Sequence, residues 1–447
     1  MPLDPHSPIG SLQHLIDYCG IRCIVTAGMK SGQLELLESG AEELKAVIGV
    51  DNELSSTCRW STWDSIDEFP SESPPDVKLT EQDLAYIMFT SGSTGRPKGI
   101  MHTHHSGLSY ARLSVNCYGI TAEDVIGSHS PLHFDMSTLG YFSGPLAAAT
   151  TILIPEAHTR LPASLSQLIE KERITIWYSV PYALIQLHLR GVLESRDLSA
   201  LRWVLFGGEP FPVGHLRELM AVWPQAQFSN VYGPAEVNQC TYYHLSSVDQ
   251  ADLSDSAPIP IGSTWANTSA LVVDENDTPV TIGDTGELLI RSPTMMYGYW
   301  GRDDLNAAAF FKTTDRSGIE EVFYRTGDLV LVESNEHFVF VGRKDRQVKI
   351  RGYRVELNSV EQALSSHPAV EEVGAFTVRD ESDVLHVRAT LTLKPDSEIA
   401  SAELITYAAG RIPWYAVPGE VRIATVLPRT TSGKVDRRQL AADYRAE

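Results

Sequence analysis

The sequence predicts an α/β protein in two parts. One is a large N-terminal domain of parallel-rich sheets with helices plus a β-rich part, over residues 1–344; the other is a small α+β C-terminal domain, over 345–447. Three observations predict it. At 447 residues the chain exceeds one ordinary core, so two or more folding units are expected. From Leu84 to about Leu331, short apolar runs alternate with helical stretches, the pattern of layered α/β structure, with β-rich segments after Gly286. From Val341 onward the elements shorten into a unit of about 100 residues, an ordinary domain size.

Taken in order, Pro2-Leu-Asp-Pro-His-Ser-Pro8 marks a turn, followed by an amphipathic helix to Tyr18 and a buried strand at Ile21 to Val25. The breaker-rich stretch Pro70-Ser-Glu-Ser-Pro-Pro75 reads as a linker. A short strand, Ala85 to Phe89, runs into the loop Thr90-Ser-Gly-Ser-Thr-Gly-Arg-Pro-Lys-Gly99. Further strands are expected at Thr151 to Ile154, Ile174 to Tyr178, Trp203 to Phe206 and Ala270 to Val273, with helices at Leu161 to Lys171 and Val213 to Val222. The second part reads as a helix at Ser359 to Ser366, strands at Val370 to Thr377 and Val384 to Leu393, a helix at Ala402 to Arg411, and a basic tail.

Composition narrows the class. The hydrophobic fraction of 43% with 21% charged residues is that of a globular protein, and the formal charge of −21 argues against nucleic acid or an anionic membrane as partner. No apolar run reaches the ~18 residues of a membrane span, and Met1-Pro-Leu-Asp-Pro5 is no signal peptide, so a cytoplasmic location is expected. Five cysteines without a Cys-x-x-Cys point to a reducing compartment rather than to disulfides or zinc. His102, His104 and His105 lack a closing ligand set and are expected to flank the loop before them.

The chemistry-bearing stretches follow strand ends. Thr90 to Gly99 has the composition of a phosphate loop: glycines admit an anion to backbone N–H groups, hydroxyls of Thr90, Ser91, Ser93 and Thr94 add donors, and Lys98 adds charge. A Walker loop cannot be laid on it, and a Gly/Ser run alone fits a surface turn equally well. Asp135, in His133-Phe-Asp-Met-Ser137, is either a turn residue or the carboxylate that a buried ammonium needs. Phe206-Gly-Gly-Glu209 and Asn230-Val-Tyr-Gly-Pro-Ala-Glu236 each end an apolar run, where parallel sheets bind ligands. Tyr324-Arg-Thr-Gly-Asp328 sets an acid at a tight turn, and six basic residues crowd between Arg343 and Arg354. Pro428-Arg-Thr-Thr-Ser-Gly-Lys434 ends the series.

In this order the motifs resemble the adenylate-forming superfamily and, through Phe134-Asp135-x-Ser137, its amino-acid adenylation domains of the nonribosomal peptide synthetase type. The resemblance implies a small, mobile C-terminal lid and ATP with Mg²⁺ as cofactors. It gives nucleotide binding to Thr90, Ser91, Gly92, Ser93, Thr94, Gly95, Gly208, Glu209, Asn230, Tyr232, Gly233, Asp328 and Arg343, with Tyr232 on adenine and Asp328 on the ribose. Glu236 holds the metal, Lys98 and Lys434 are catalytic with Glu236, Asp345 is the hinge, and Lys349 and Gly352 lie on the thiol side. The pocket carried over comprises Asp135, Met136, Leu139, Tyr178, Leu205, Gly207, Val231, Gln239 and Cys240, with Lys434. It resembles that of free-standing prolyl adenylating enzymes, so L-proline is the first expectation and another small apolar amino acid the fallback.

The implied reaction makes aminoacyl-AMP and pyrophosphate, then transfers the aminoacyl group to the phosphopantetheine thiol of a carrier protein. Pro2-Leu-Asp-Pro-His-Ser-Pro8 resembles a motif that lies inside the first domain of relatives, so either the start lies upstream or the chain lacks the family's first segment. A truncated nucleotide-binding remnant and an acyl-CoA synthetase of the same fold are the alternatives; Asp135 argues against the latter.

Overall fold

Five consecutive apolar strands dominate the architecture. The computed structural model describes all residues except 28–30, 51–57, 70–75, 91–96, 246–257, 381–382, 431–434 and 447; the expected linker at 70–75 lies outside the described residues. The chain forms two compact units. The first comprises residues 1–2, 81–359 and 377–386, and the second 3–80, 360–376 and 387–447.

The first unit is built on a seven-stranded sheet. Its spatial order is Ser263–Thr264, Thr241–Leu245, Gln227–Tyr232, Trp203–Gly207, Ile176–Ser179, Val125–Ser128 and Thr150–Leu153. The last five are parallel, and the first two add antiparallel to one edge. Ile176–Ser179 and Trp203–Gly207 are buried at every residue, as strands covered on both faces must be. Helices Pro162–Lys171, Pro181–Arg190 and Val213–Val222 supply Leu165, Leu184 and Leu216 to the core around Trp177 and Phe206.

Strand order sets the position of the site. The chain leaves Val125–Ser128 for the edge strand Thr150–Leu153 and then returns to the other side of Val125–Ser128 as Ile176–Ser179. Such a reversal opens a crevice at the carboxyl ends of the strands, and the loop carrying Asp135 and the Tyr178–Val180 corner both follow those ends.

A second, antiparallel sheet of five strands contains Ser269–Val273, Thr285–Arg291, Glu320–Val332 and Phe310–Thr314, with Phe338–Arg343 paired to Glu320–Val332. This is the β-rich part anticipated after Gly286. The phosphate-loop strand, Leu84–Thr90, pairs antiparallel with Lys98–Thr103, so the loop closes a hairpin in which Thr90 and Lys98 face each other. A final hairpin, Gln347–Ile350 with Tyr353–Glu356, belongs to the first unit.

The second unit contains helices Ile9–Tyr18 and Ser31–Ser39 with a parallel sheet of Cys23–Val25, Ala46–Val50 and Arg59–Thr62, whose core includes Leu12, Ile16, Val47 and Trp60. It also takes most of the sheet Val370–Arg379, Leu385–Leu393 and Glu420–Ile423. The expected basic tail is instead the helix Arg437–Ala446. Asp436 accepts the N–H groups of Arg438 and Gln439, Leu440 is buried against Gly374, and Arg437 pairs with Glu361 at 2.7 Å. The basic composition masked an amphipathic, capped helix.

Candidate functional site

Asp135 sits in a 3₁₀ turn directly beyond the crevice. Its Oδ1 accepts the Met136 N–H at 2.9 Å, and its carbonyl accepts the Thr138 hydroxyl, which in turn accepts from Asn238 Nδ2 at 3.1 Å. Among the described residues Asp135 has no ion-pair partner. Burial pushes its carboxyl up to about 6, although the positive charge of Lys349 works the other way. A half-buried carboxylate in this condition calls for a cation.

Met136, Leu139, Tyr178, Leu205 and Val231 pack in one apolar cluster with Tyr110 and Tyr118, so five of the pocket residues come together. Gly207 lies on the same strand as Leu205, where a Cβ would meet the Val231 carbonyl at 2.2 Å. Gln239 donates to the buried Tyr118 hydroxyl, and its Oε1 is buried without a partner. Cys240 packs instead in the adjoining cluster with Tyr232, its thiol 3.5 Å from the Tyr232 carbonyl.

Three residues expected on the nucleotide and the expected hinge residue form a continuous bonded chain. The Tyr232 hydroxyl donates to Asp328 Oδ2 at 2.5 Å, and Arg343 donates to Asp328 Oδ1 at 2.7 Å. Arg343 also clasps both oxygens of Asp345 at 2.7 Å, and although burial opposes the charge, the two carboxylates raise the guanidinium further above its ordinary value. Burial would raise Asp345, but Arg343 holds it down. Asn230 gives its amide to the Pro260 carbonyl at 2.8 Å. Gly208 adopts φ +92°, and a Cβ there would approach the Met136 methyl at 3.3 Å; Gly233 lies against the Asn238 carbonyl. Thr90 Oγ1 is buried without a partner at the mouth of the phosphate loop, opposite Lys98. Burial and the neighbouring Arg354 lower Lys98. Ser91, Gly92, Ser93, Thr94, Gly95 and Lys434 lie outside the described residues.

Glu236 is fully buried and heavily bonded. Arg354 Nη1 donates to both of its oxygens, at 2.9 and 2.8 Å, and the Tyr299 hydroxyl donates to Oε1 at 2.8 Å. Burial opposes the charge, but Arg354 and Tyr299 overcome it and hold Glu236 down to about 2. The carboxylate that the resemblance gives to Mg²⁺ is therefore on a guanidinium. A Mg²⁺ ion requires six oxygens in near-octahedral array and keeps several waters; the Glu236 site, as arranged here, does not fit it.

Arg354 arrives on the final hairpin. Its two-residue turn, Arg351 at φ +51° and Gly352 at φ +82°, has the positive φ values of a type I′ connection. Gly352 is needed twice, because a Cβ would also lie 2.2 Å from Val180 Cγ1. Its N–H donates to Glu209 Oε2 at 3.1 Å, while the Tyr182 N–H takes Glu209 Oε1 at the same distance. The Tyr353 ring meets Phe134 edge-on at 5.1 Å. Lys349 is directly opposite Arg354 in the hairpin, so both cations share one face, toward Asp135 and Glu236.

Arg354, Tyr299 and Tyr118 escaped the sequence reading. Arg354 was submerged in the basic run; the only hint was the alternation in Tyr353-Arg-Val-Glu356. His102 is fully buried, bonded to the Ala235 carbonyl at 2.9 Å and to Ser106 at 3.1 Å, and so braces the turn before Glu236.

Comparison with known proteins decides the family. Residues 1–300 match the AMP-binding enzyme family, and residues 359–434 match the AMP-binding enzyme C-terminal domain. The chain belongs to this family. As an AMP-binding enzyme it is an adenylating ligase that uses ATP. An L-proline–[L-prolyl-carrier protein] ligase of Pseudomonas fluorescens is 32% identical over 99% of this chain and 83% of its own length. A ligase of the same description from Streptomyces coelicolor is 36% identical over 82% of this chain and 67% of its own. The amide bond synthetase of Marinactinospora thermotolerans superposes with a TM-score of 0.85 at 23% identity, over 99% of this chain and 84% of that one, and shares the two-domain α/β fold of this AMP-binding enzyme. Among the described residues no helix is long and apolar enough to cross a membrane.

Proposed function

We propose that this enzyme activates an amino acid with ATP, releasing pyrophosphate, and passes the aminoacyl group to the phosphopantetheine thiol of a carrier protein. The observation that carries the reading is Asp135: a carboxylate at the crevice, pushed up by burial and without an ion pair among the described residues. An α-ammonium supplies the missing charge, whereas a fatty or aryl acid has none to offer. L-proline is the first candidate substrate. The similarity to prolyl-carrier-protein ligases and the compact apolar cluster of Leu139, Tyr178, Leu205 and Val231 support it.

The substrate carboxylate attacks the α-phosphorus, and both are anionic, so the site must reduce their repulsion. Lys98 and the 91–95 loop take the leaving phosphates, Tyr232 and Asp328 take the nucleoside, and Lys434 brackets the carboxylate and α-phosphate. Arg343 holds Asp328 in place while Asp345, at its other side, acts as hinge between the domains at 344/345. Glu236 is engaged by Arg354 and, as arranged, offers no place to a metal.

Amino-acid-dependent ATP–pyrophosphate exchange tests the proposal. Proline is expected to give the strongest signal in a panel of amino acids. A stronger signal from another acid overturns the substrate assignment, and silence across the panel overturns the activity. Lys434→Ala is expected to remove most exchange while leaving ATP binding nearly intact.

A further inference from the structure

We infer that Asn238 is a positioning residue: its side-chain bond to Thr138 sets the turn that carries Asp135 against the turn that carries Tyr232 and Glu236, and so aligns the amino acid with ATP. The inference rests on the proposed amino-acid activation, with Asp135 facing the substrate, and deepens it.

Asn238 adopts φ +56°, in the left-handed region that asparagine tolerates better than most side chains, and it is 6% exposed. That conformation closes the loop tightly: a Cβ on Gly233 would lie 1.8 Å from the Asn238 carbonyl oxygen, and the Cys240 N–H donates to the Tyr232 carbonyl at 2.9 Å. The main chain is also held from outside, since the Met296 N–H donates to the Glu236 carbonyl and the Thr294 hydroxyl to the Val237 carbonyl, both at 2.7 Å. The loop is thus shaped by its backbone, and the Asn238 amide serves another element.

Asn238 Nδ2 donates to Thr138 Oγ1 at 3.1 Å. Thr138 has no exposed surface, joins the 3₁₀ turn Asp135–Ser137 to the π-helical turn Leu139–Ser143, and gives its own proton to the Asp135 carbonyl. A hydroxyl has a single proton, so with that proton committed to Asp135 only a donor such as an amide N–H can complete it. The same amide stands beside the Tyr86 hydroxyl, on the strand Leu84–Thr90 that leads into the phosphate loop. Tyr86 stacks on His102 at 4.8 Å, and His102 Nε2 is bonded to the Ala235 carbonyl at 2.9 Å. The elements expected to hold the amino acid, the nucleoside and the leaving phosphates therefore meet around one side-chain amide. Attack of a carboxylate on phosphorus is sensitive to such placement, and a shift of about 1 Å can cost roughly 100-fold in rate.

Amino-acid-dependent ATP–pyrophosphate exchange with L-proline, or with whichever amino acid leads the panel, reads the effect. Asn238→Gly keeps the left-handed backbone and deletes the amide; Thr138→Val keeps the shape and deletes the hydroxyl. Each is expected to lower kcat by about 10- to 100-fold, with KM for ATP and for the amino acid nearly unchanged. Because Thr138→Val already removes the bond that Asn238 makes, the double variant is expected to be no slower than Thr138→Val. Thr138→Ser is expected to recover most of the rate that Thr138→Val loses. In the unaltered protein, the amino acid alone is expected to slow amide hydrogen exchange at 233–240 as well as at 135–140, which keeps the test independent of whether the variants fold. Unchanged kcat in both single variants, a loss carried by KM alone, losses that multiply in the double variant, or protection confined to 135–140 overturns the inference. An unaltered protein silent with every amino acid instead overturns the proposed activation, and this inference falls with it.

Discussion

Asp135, half-buried, and Glu236, fully buried, are both carboxylates of the first unit, yet the fold treats them in opposite ways. Glu236 has a guanidinium and a tyrosine hydroxyl and is held down to about 2; Asp135 has a backbone N–H and no ion pair among the described residues, and is pushed up to about 6. The hairpin places Lys349 and Arg354 on one face, but only Arg354 reaches its carboxylate. The contrast shows that burial alone does not give a carboxylate its role. One of the two is electrostatically complete, and the other lacks an opposite charge among the described residues.

The largest test removes the incomplete charge. Asp135→Asn is expected to lower amino-acid-dependent exchange by roughly 100-fold or more, the consequence of burying an ammonium without its partner. The same variant is expected to be more stable at neutral pH. The folded state holds its proton more tightly than the unfolded chain, so the penalty is complete above about pH 6 and vanishes below the ordinary carboxylate range. A gain of about 1–2 kcal/mol in denaturant unfolding near pH 7 is the expected size. A variant that loses both activity and stability breaks the comparison.

Removing the complete charge acts the other way. Glu236→Gln leaves Arg354 buried without its carboxylate and is expected to cost about 3–5 kcal/mol, with part recovered in Glu236→Gln/Arg354→Gln. Because Glu236 is held low, its contribution is present above the ordinary carboxylate range and is lost only as pH falls through about 2. Thermal unfolding of the two variants measures this directly.

A gentler probe leaves the sequence alone. Only ionised Asp135 attracts an ammonium, so kcat/KM for the amino acid is expected to rise with pH and level off above about 6. A flat profile between about pH 5 and 7 contradicts that role. The smallest effect is expected at Gln239, which is a polar member of an otherwise apolar set. Gln239→Leu removes a buried unpartnered Oε1 but strands the Tyr118 hydroxyl, so stability should move by less than about 1 kcal/mol. Its readout is a shift in relative exchange rates toward purely apolar amino acids.

Much of the first unit was legible from residue patterns. Runs such as Trp203–Gly207 and Ile176–Ser179 are continuous because both faces are covered, and motifs at their ends fall where the strand order opens the crevice. Tyr232, Asp328, Arg343 and Asp345 were singled out separately and prove to be bonded in one chain. The final helix was not legible, since the arginines at its start obscured its period and its buried face reduces to Leu440. Nor was the partition of the basic run, because charge repeats say nothing about which cation meets which acid.

By itself the sequence determined the class of fold and the chain order of the strands that carry the motifs, and it led to the expectation of a cation at Asp135 and an anion near Thr90 to Gly99. Only the tertiary structure decided that Glu236 belongs to Arg354, 118 positions away, and that Asp135 has no ion pair among the described residues. Local patterns record periodicity and turn chemistry, which act over a few residues. Ion-pair choice depends on which side chains converge in a low-dielectric interior, and a two-residue turn whose glycine fits against Val180 brings Arg354, rather than one of its five basic neighbours, to that carboxylate.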